Sequence, residues 1–206
     1  MKIKSIVLSL AVVGMLFVSC DDTKKKEAEA KAEAERMEME ASKKMEEEKN
    51  MAKMEFDKNT IAAKAMGNPK YSTLVAALKE AGLAETFMKE GEYTVFAPTN
   101  DAFAAVPKAS MDMLMKPENK AKLQNILKYH VVAGEWNAAD VMKAIEDNDN
   151  KYTVTTLQGE NLTLSVKDGK VMIKDAKGNM STVADADMDA SNGIIHGVDK
   201  VLMPKA

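Results

Sequence analysis

The apolar positions of this chain change period along its length, and the period names the elements. Ser72 precedes Leu74, Val75 and Leu78, followed by Ala81, Gly82 and Leu83. That order predicts an N-cap, one apolar helical face, and a glycine stop with an apolar residue behind it. Tyr93-Thr94-Val95-Phe96 is a short β-type run closed by Pro98, after which Thr99 or Asn100 caps a short helix with Phe103 and Val106 facing inward. Pro117 stands where a further helix starts, and Leu123, Ile126, Leu127 and His130 follow at helical spacing. Beyond Asp147 the period becomes two. Leu162, Leu164 and Val166 alternate, Asp168-Gly169 supplies a type I′ turn, and Val171 and Ile173 return. A third strand near Met180–Val183 extends the meander. Helices first and antiparallel strands after them make the class α+β.

The front of the chain follows a different logic. Met1–Lys4 is short and basic, Ser5–Ser19 is apolar, and the run ends at Cys20 before Asp21 and Asp22. This is the layout of a secretory signal over residues 1–19. The run falls short of the ~20 apolar residues that a spanning helix needs. Cys20 is the only cysteine, so an internal disulfide is impossible, leaving intermolecular pairing, an idle thiol, or modification. Leu16-Phe17-Val18-Ser19-Cys20 resembles a bacterial lipobox, with Phe17 in place of the usual leucine. The resemblance implies a diacylglyceryl group on the Cys20 thiol, a membrane as partner, and the outer membrane's external face as location. The periplasmic side is the alternative.

From Thr23 to Phe56 the composition turns to Ala, Glu, Lys and Met without Gly or Pro, all good helix formers. Glu27 with Lys31 and Glu40 with Lys44 are acid-first pairs at i,i+4. Met37, Met45, Met51 and Met54 hold no 3.5-residue repeat, so no coiled-coil seam is predicted. Residues 20–59 therefore read as a charged spacer, a solvated helix or partly disordered, that would reach ~50 Å if helical. A soft-metal role for its methionines finds no histidine in the segment to support it.

Three later segments carry a family signature: Thr94–Phe103 (TVFAPTNDAF), Tyr129–Gly134 (YHVVAG) and Asn192–Pro204 (NGIIHGVDKVLMP). In wording, order and separation they resemble the fasciclin domain, over residues 60–204. The resemblance implies a β-wedge or sandwich flanked by helices, displayed on a cell surface. In animal fasciclin proteins the Tyr-His pair and its apolar neighbours are implicated in integrin-mediated adhesion. Carried over, the partner-binding candidates are Tyr129, His130, Val131 and Val132. The family usually has an acid where Asp187 stands, which implies a turn role. Gly197 replaces a bulky aliphatic and predicts a close backbone approach.

Chemistry beyond binding finds little support. His130 and His196 are the only histidines, and both lie among aliphatics, where a hydrogen-bonded core residue is the expectation rather than a metal ligand or acid–base pair. Asp185-x-Asp187-x-Asp189 lacks the glycine and glutamate of an EF-hand, having Ala190 and His196 instead. The two glycosylation sequons at Asn161 and Asn179 are read as accidental in a bacterial lipoprotein. No nucleophile elbow, zincin motif or phosphate loop occurs, and a net charge of −3 argues against nucleic acid. The expectation is a non-enzymatic surface lipoprotein, without metal or cofactor, that binds a surface protein or glycan. A periplasm-facing scaffold or small-ligand binder is the alternative.

Overall fold

The computed structural model describes residues 22–205. Their first element is a single helix, α1 (Asp22–Lys58), which the spacer composition predicts. The chain divides into two units at Met51–Ala52. The first carries most of α1, and its described side chains are exposed. The second holds everything that packs.

In the second unit, α2 (Ile61–Gly67) and α3 (Ser72–Ala81) precede β1 (Tyr93–Pro98). Three helices follow: α4 (Asn100–Ala104), α5 (Lys108–Leu114) and α6 (Lys120–Tyr129). Next come β2 (Val131–Ala133) and α7 (Ala138–Glu146). The chain ends in the meander β3 (Tyr152–Thr155), β4 (Asn161–Lys167), β5 (Lys170–Lys174), β6 (Met180–Ala190) and β7 (Gly193–Val198). The strands form one sheet in the order β2-β1-β7-β6-β5-β4-β3. All neighbours are antiparallel except β1 and β7, which run parallel from Tyr93↔Gly193 to Pro98↔Val198. A bridge between Val132 and Thr156 brings the two ends of the sheet together, so the wedge nearly closes on itself.

Period-two alternation sorts the strand residues into two cores. Val95, Ala97 and Ile195 join Leu74, Leu78 and Leu127 beneath the helices. Phe96 and Val198 point the other way, into a core of Val141, Ile145, Leu162, Leu164 and Ile173 inside the wedge. The β4–β5 hairpin turns at Asp168 (φ 53°) and Gly169 (φ 73°), both positive as a type I′ turn requires. Gly82, at φ 67°, closes α3, with Leu83 N–H donating to the Leu78 carbonyl in a Schellman arrangement. Thr99 caps α4 as expected.

The other end of α3 differs from expectation. Ser72 is its first residue and not its cap. The amide of Thr73 donates to Asn100 Oδ1 at 3.0 Å, and the Ser72 hydroxyl donates to the same oxygen. The capping acceptor thus arrives from α4, and Asn100 Nδ2 donates to the Pro69 carbonyl as well. A second difference is the boundary of the packed unit. Ser191 reaches back to the carbonyls of Phe56 and Asn59, so the last turns of α1 are fastened to the β6–β7 turn.

Candidate functional site

Tyr129 ends α6, His130 caps it, and Val131 and Val132 open β2. The helix-to-strand change turns this segment into the centre of the molecule, where Tyr129 is 0% exposed, His130 2%, Val131 1% and Val132 5%. All four side chains therefore lie inside the packed unit, on the core side of its surface. The tyrosine hydroxyl donates to the Asn161 carbonyl at 3.1 Å and accepts from the Ala176 amide at 2.8 Å. Burial pushes it up to about 12, so it stays protonated and can do both. His130 Nε2 accepts from the Leu202 amide at 2.9 Å, which leaves the proton on Nδ1 to donate to the Ile126 carbonyl at 2.7 Å. Desolvation lowers its pKa to about 4, against the opposing pull of the Ile126 carbonyl and Asp175, and fixes the neutral ring.

His196 is equally buried and equally committed. Its Nδ1 accepts from the Asp187 amide at 3.2 Å, and Nε2–H donates to the Trp136 carbonyl at 2.8 Å. The two rings serve different backbones, and neither has a carboxylate partner, so no acid–base pair is assembled. Asp185 pairs with Lys70 at 2.9 Å, and Asp187, at φ 57°, accepts from the Ala138 amide at 2.7 Å. Asp187 thus stands within β6, at the irregularity between Asp185 and Met188, and not in a turn between elements. No group of three or more candidate metal-ligating side chains occurs among the described residues.

The His196 and Asp187 bonds meet those of Thr94 around one loop, Gly134–Asn137. Buried Thr94 donates to the Gly134 carbonyl at 2.7 Å and accepts from the Trp136 amide at 2.9 Å. His196 holds the Trp136 carbonyl, and Asp187 holds the amide that follows Asn137. Residues from two signature segments, Thr94 and His196, thus fix a four-residue turn that begins at Gly134, the last residue of the other segment. The Trp136 ring stays half-exposed, tilted against Tyr152 with 5.7 Å between centroids. Beside it lies an open groove of about 310 Å³ lined by Glu135, Trp136, Asp140, Lys143, Ala144 and Asp147. Lys143 and Asp147 face each other there at 2.7 Å. The groove offers an aromatic face with charged hydrogen-bonding groups of both signs. Sequence reasoning passed over Trp136. The available signal was its place as the lone tryptophan two residues after the YHVVAG segment.

Two further motif residues are structural. Asn192, fully buried, accepts from the Ile61 amide at 2.8 Å and donates to the carbonyls of Phe87 and Lys89, both at 2.9 Å. At Gly197 the expected close approach is present, but the neighbour is a side chain: a Cβ there would lie 2.6 Å from the Tyr71 hydroxyl. That hydroxyl is buried without a hydrogen-bond partner among the described residues. Cys20 and residues 1–19 lie outside the described residues. No helix among the described residues is long and apolar enough to cross a membrane.

Comparison with known proteins agrees with this geometry. The family model for the Fasciclin domain matches residues 69–204, well over half of the chain. Protein sll1483 of Synechocystis sp. is 51% identical over 145 residues, covering 70% of this chain and 73% of that protein. Immunogenic protein MPB70 of Mycobacterium bovis is 35% identical over 156 residues, covering 71% and 69%. Transforming growth factor-beta-induced protein ig-h3 of Sus scrofa is 40% identical over 152 residues, but the match spans only 20% of its length. Among solved structures, a domain pair from the insect cell adhesion molecule Fasciclin I superposes with a TM-score of 0.61 at 18% identity, covering 71% of this chain and 51% of that one. That likeness concerns the fold alone. Matched by the family model over its packed unit, and by relatives over most of their own length, the chain belongs to the fasciclin domain family.

Proposed function

We propose that this protein is a non-enzymatic, lipid-anchored surface protein whose fasciclin domain binds a protein or carbohydrate on another surface. Cys20 is the acylation site, α1 is the spacer, and the Trp136 groove is the contact face. The observation that carries the reading is the use to which the signature residues are put. Thr94, His130 and His196 are buried and spend their polar atoms on backbone groups, and Thr94 and His196 spend them on the loop that presents Trp136. Preorganised aromatic residues beside polar groups are what binding surfaces use, because a rigid ring loses little entropy on contact. The adhesion component draws on membership of the fasciclin domain family.

The test combines location with contact. Protease added to intact cells should remove the domain, and Cys20→Ala should release it from the cell. Trp136→Ala, which leaves both histidines and Thr94 in place, should reduce attachment to surfaces and to other cells while the protein stays folded. A domain protected until the outer membrane is opened would place it in the periplasm and overturn the surface reading. Unchanged attachment by a folded Trp136→Ala protein would remove the groove from it.

A further inference from the structure

The chain contains 17 methionines, and the fold distributes them against the usual rule for this residue. Methionine ordinarily fills gaps in cores. Here none belongs to the buried core of the described residues, whereas nine of the ten exposed large apolar side chains are methionine. Five of these, Met37, Met39, Met45, Met51 and Met54, stand on α1 with 57–71% of their surface in solvent. Until Phe56, methionine is the only large apolar residue type in that helix.

Their arrangement excludes two explanations. At about 100° per residue, the five project at roughly 0°, 200°, 80°, 320° and 260° around the axis, spread over the whole circumference. A docking stripe would gather them within about 100° of arc. A soft-metal site needs several thioethers within reach of one ion, and only Met51 and Met54 stand three residues apart. What remains is the property that separates methionine from leucine at equal exposure: a nucleophilic sulfur open to oxidants from every side.

We propose that the α1 methionines are oxidation sites that act as a sacrificial trap for hypochlorous acid, protecting the packed unit. Each thioether takes the oxygen atom of HOCl as the O–Cl bond breaks. Chloride leaves with the electron pair and the hydroxyl proton passes to water. Sulfur is oxidised by two electrons and chlorine reduced by two, giving one sulfoxide, one chloride and one proton per event. Sulfoxide formation damages a protein when it disrupts packing. On α1 the five side chains are exposed, so the damage falls where it does least harm, and sulfoxide reductases can restore the thioethers. The half-buried Met142, Met172 and Met188 of the packed unit are the residues spared.

The experiment titrates the purified protein with limiting hypochlorous acid, after N-ethylmaleimide has capped any Cys20 thiol left without its acyl group. Peptide mapping by mass spectrometry and thermal melts follow each dose. At about three molar equivalents, sulfoxide at the five α1 positions should exceed that at Met142, Met172 and Met188 by about fivefold or more, with Tm unchanged. A variant with all five replaced by leucine, which keeps helix propensity, should show those three oxidised and Tm lowered at the same dose. Sulfoxide at Met142, Met172 and Met188 equal to that at the five α1 positions would overturn the proposal. So would a leucine variant that withstands each dose as well as the parent.

Discussion

Burial of a neutral His130 ties stability to pH in a direction and an amount that can be worked out. Its folded pKa is about 4 because desolvation disfavours the charged ring, against an ordinary value of 6.5. Between those values the unfolded chain takes up a proton that the folded chain refuses, so stability falls as pH drops. The contribution is fully present above about pH 6.5 and is lost as pH falls from there toward 4. With 1.36 kcal/mol per unit, the loss at pH 5 relative to pH 8 comes to about 2 kcal/mol. For a packed unit of this size that corresponds to roughly 4–8 °C in Tm. Urea unfolding of wild type and His130→Gln at both pH values isolates the effect. The variant is less stable at every pH, because the Ile126 carbonyl or the Leu202 amide loses a partner. Its stability should nevertheless fall between pH 8 and 5 by about 2 kcal/mol less than wild type's. Carboxylates cancel in that difference. Equal pH dependence in the two proteins, or an NMR titration of the His130 ring near pH 6.5, would refute the reasoning.

Three other substitutions probe the frame. Asn192→Ala strands the Ile61 amide and the Phe87 and Lys89 carbonyls, and should cost about 3–5 kcal/mol by urea unfolding; a cost under about 1 kcal/mol would mean that the side chain is not the tie described. Tyr71→Phe removes a buried hydroxyl that has no partner among the described residues, so it should raise stability by about 1 kcal/mol, and a lowered Tm would contradict this. Gly193→Ala places a Cβ 1.9 Å from the Tyr93 carbonyl oxygen at φ 144°, where β1 and β7 meet. It should cost more than about 3 kcal/mol, and a circular-dichroism melt at the wild-type temperature would show that the strands part more readily than the register implies.

Local rules were the legible part of the fold. The Asp168-Gly169 turn, the Gly82 stop and the Thr99 cap depend on neighbours within a few residues, and each is where its chemistry predicts. Partners distant in sequence were not legible. Ser72 looked like a cap because the true acceptor, Asn100, lies 27 residues beyond Thr73. Tyr129 and His130 became contact candidates through the family resemblance, with nothing local to show what holds them. Their partners, the amides of Ala176 and Leu202, lie 47 and 72 residues away in the sequence. The parallel β1–β7 pair went unread for the same reason, since a pairing across about a hundred positions leaves no local trace. Helix α7 did leave one, with Asn137 as its cap and Val141 and Ile145 on one face at i,i+4, and that local signal was passed over. At the candidate site, the motif wording marked the residues that hold the loop, and left unmarked the tryptophan that the loop presents.

The position of β7 bears on how such a chain is made. It is the last strand in sequence, yet it lies inside the sheet between β1 and β6, and the Leu202 amide behind it satisfies His130. Until those residues emerge, β1 lacks its parallel neighbour and α6 lacks the acceptor's counterpart at its end. Folding dominated by such distant closures is slow and waits for the complete polypeptide. A fragment released early has no finished sheet to shelter in and stays open to quality-control proteases.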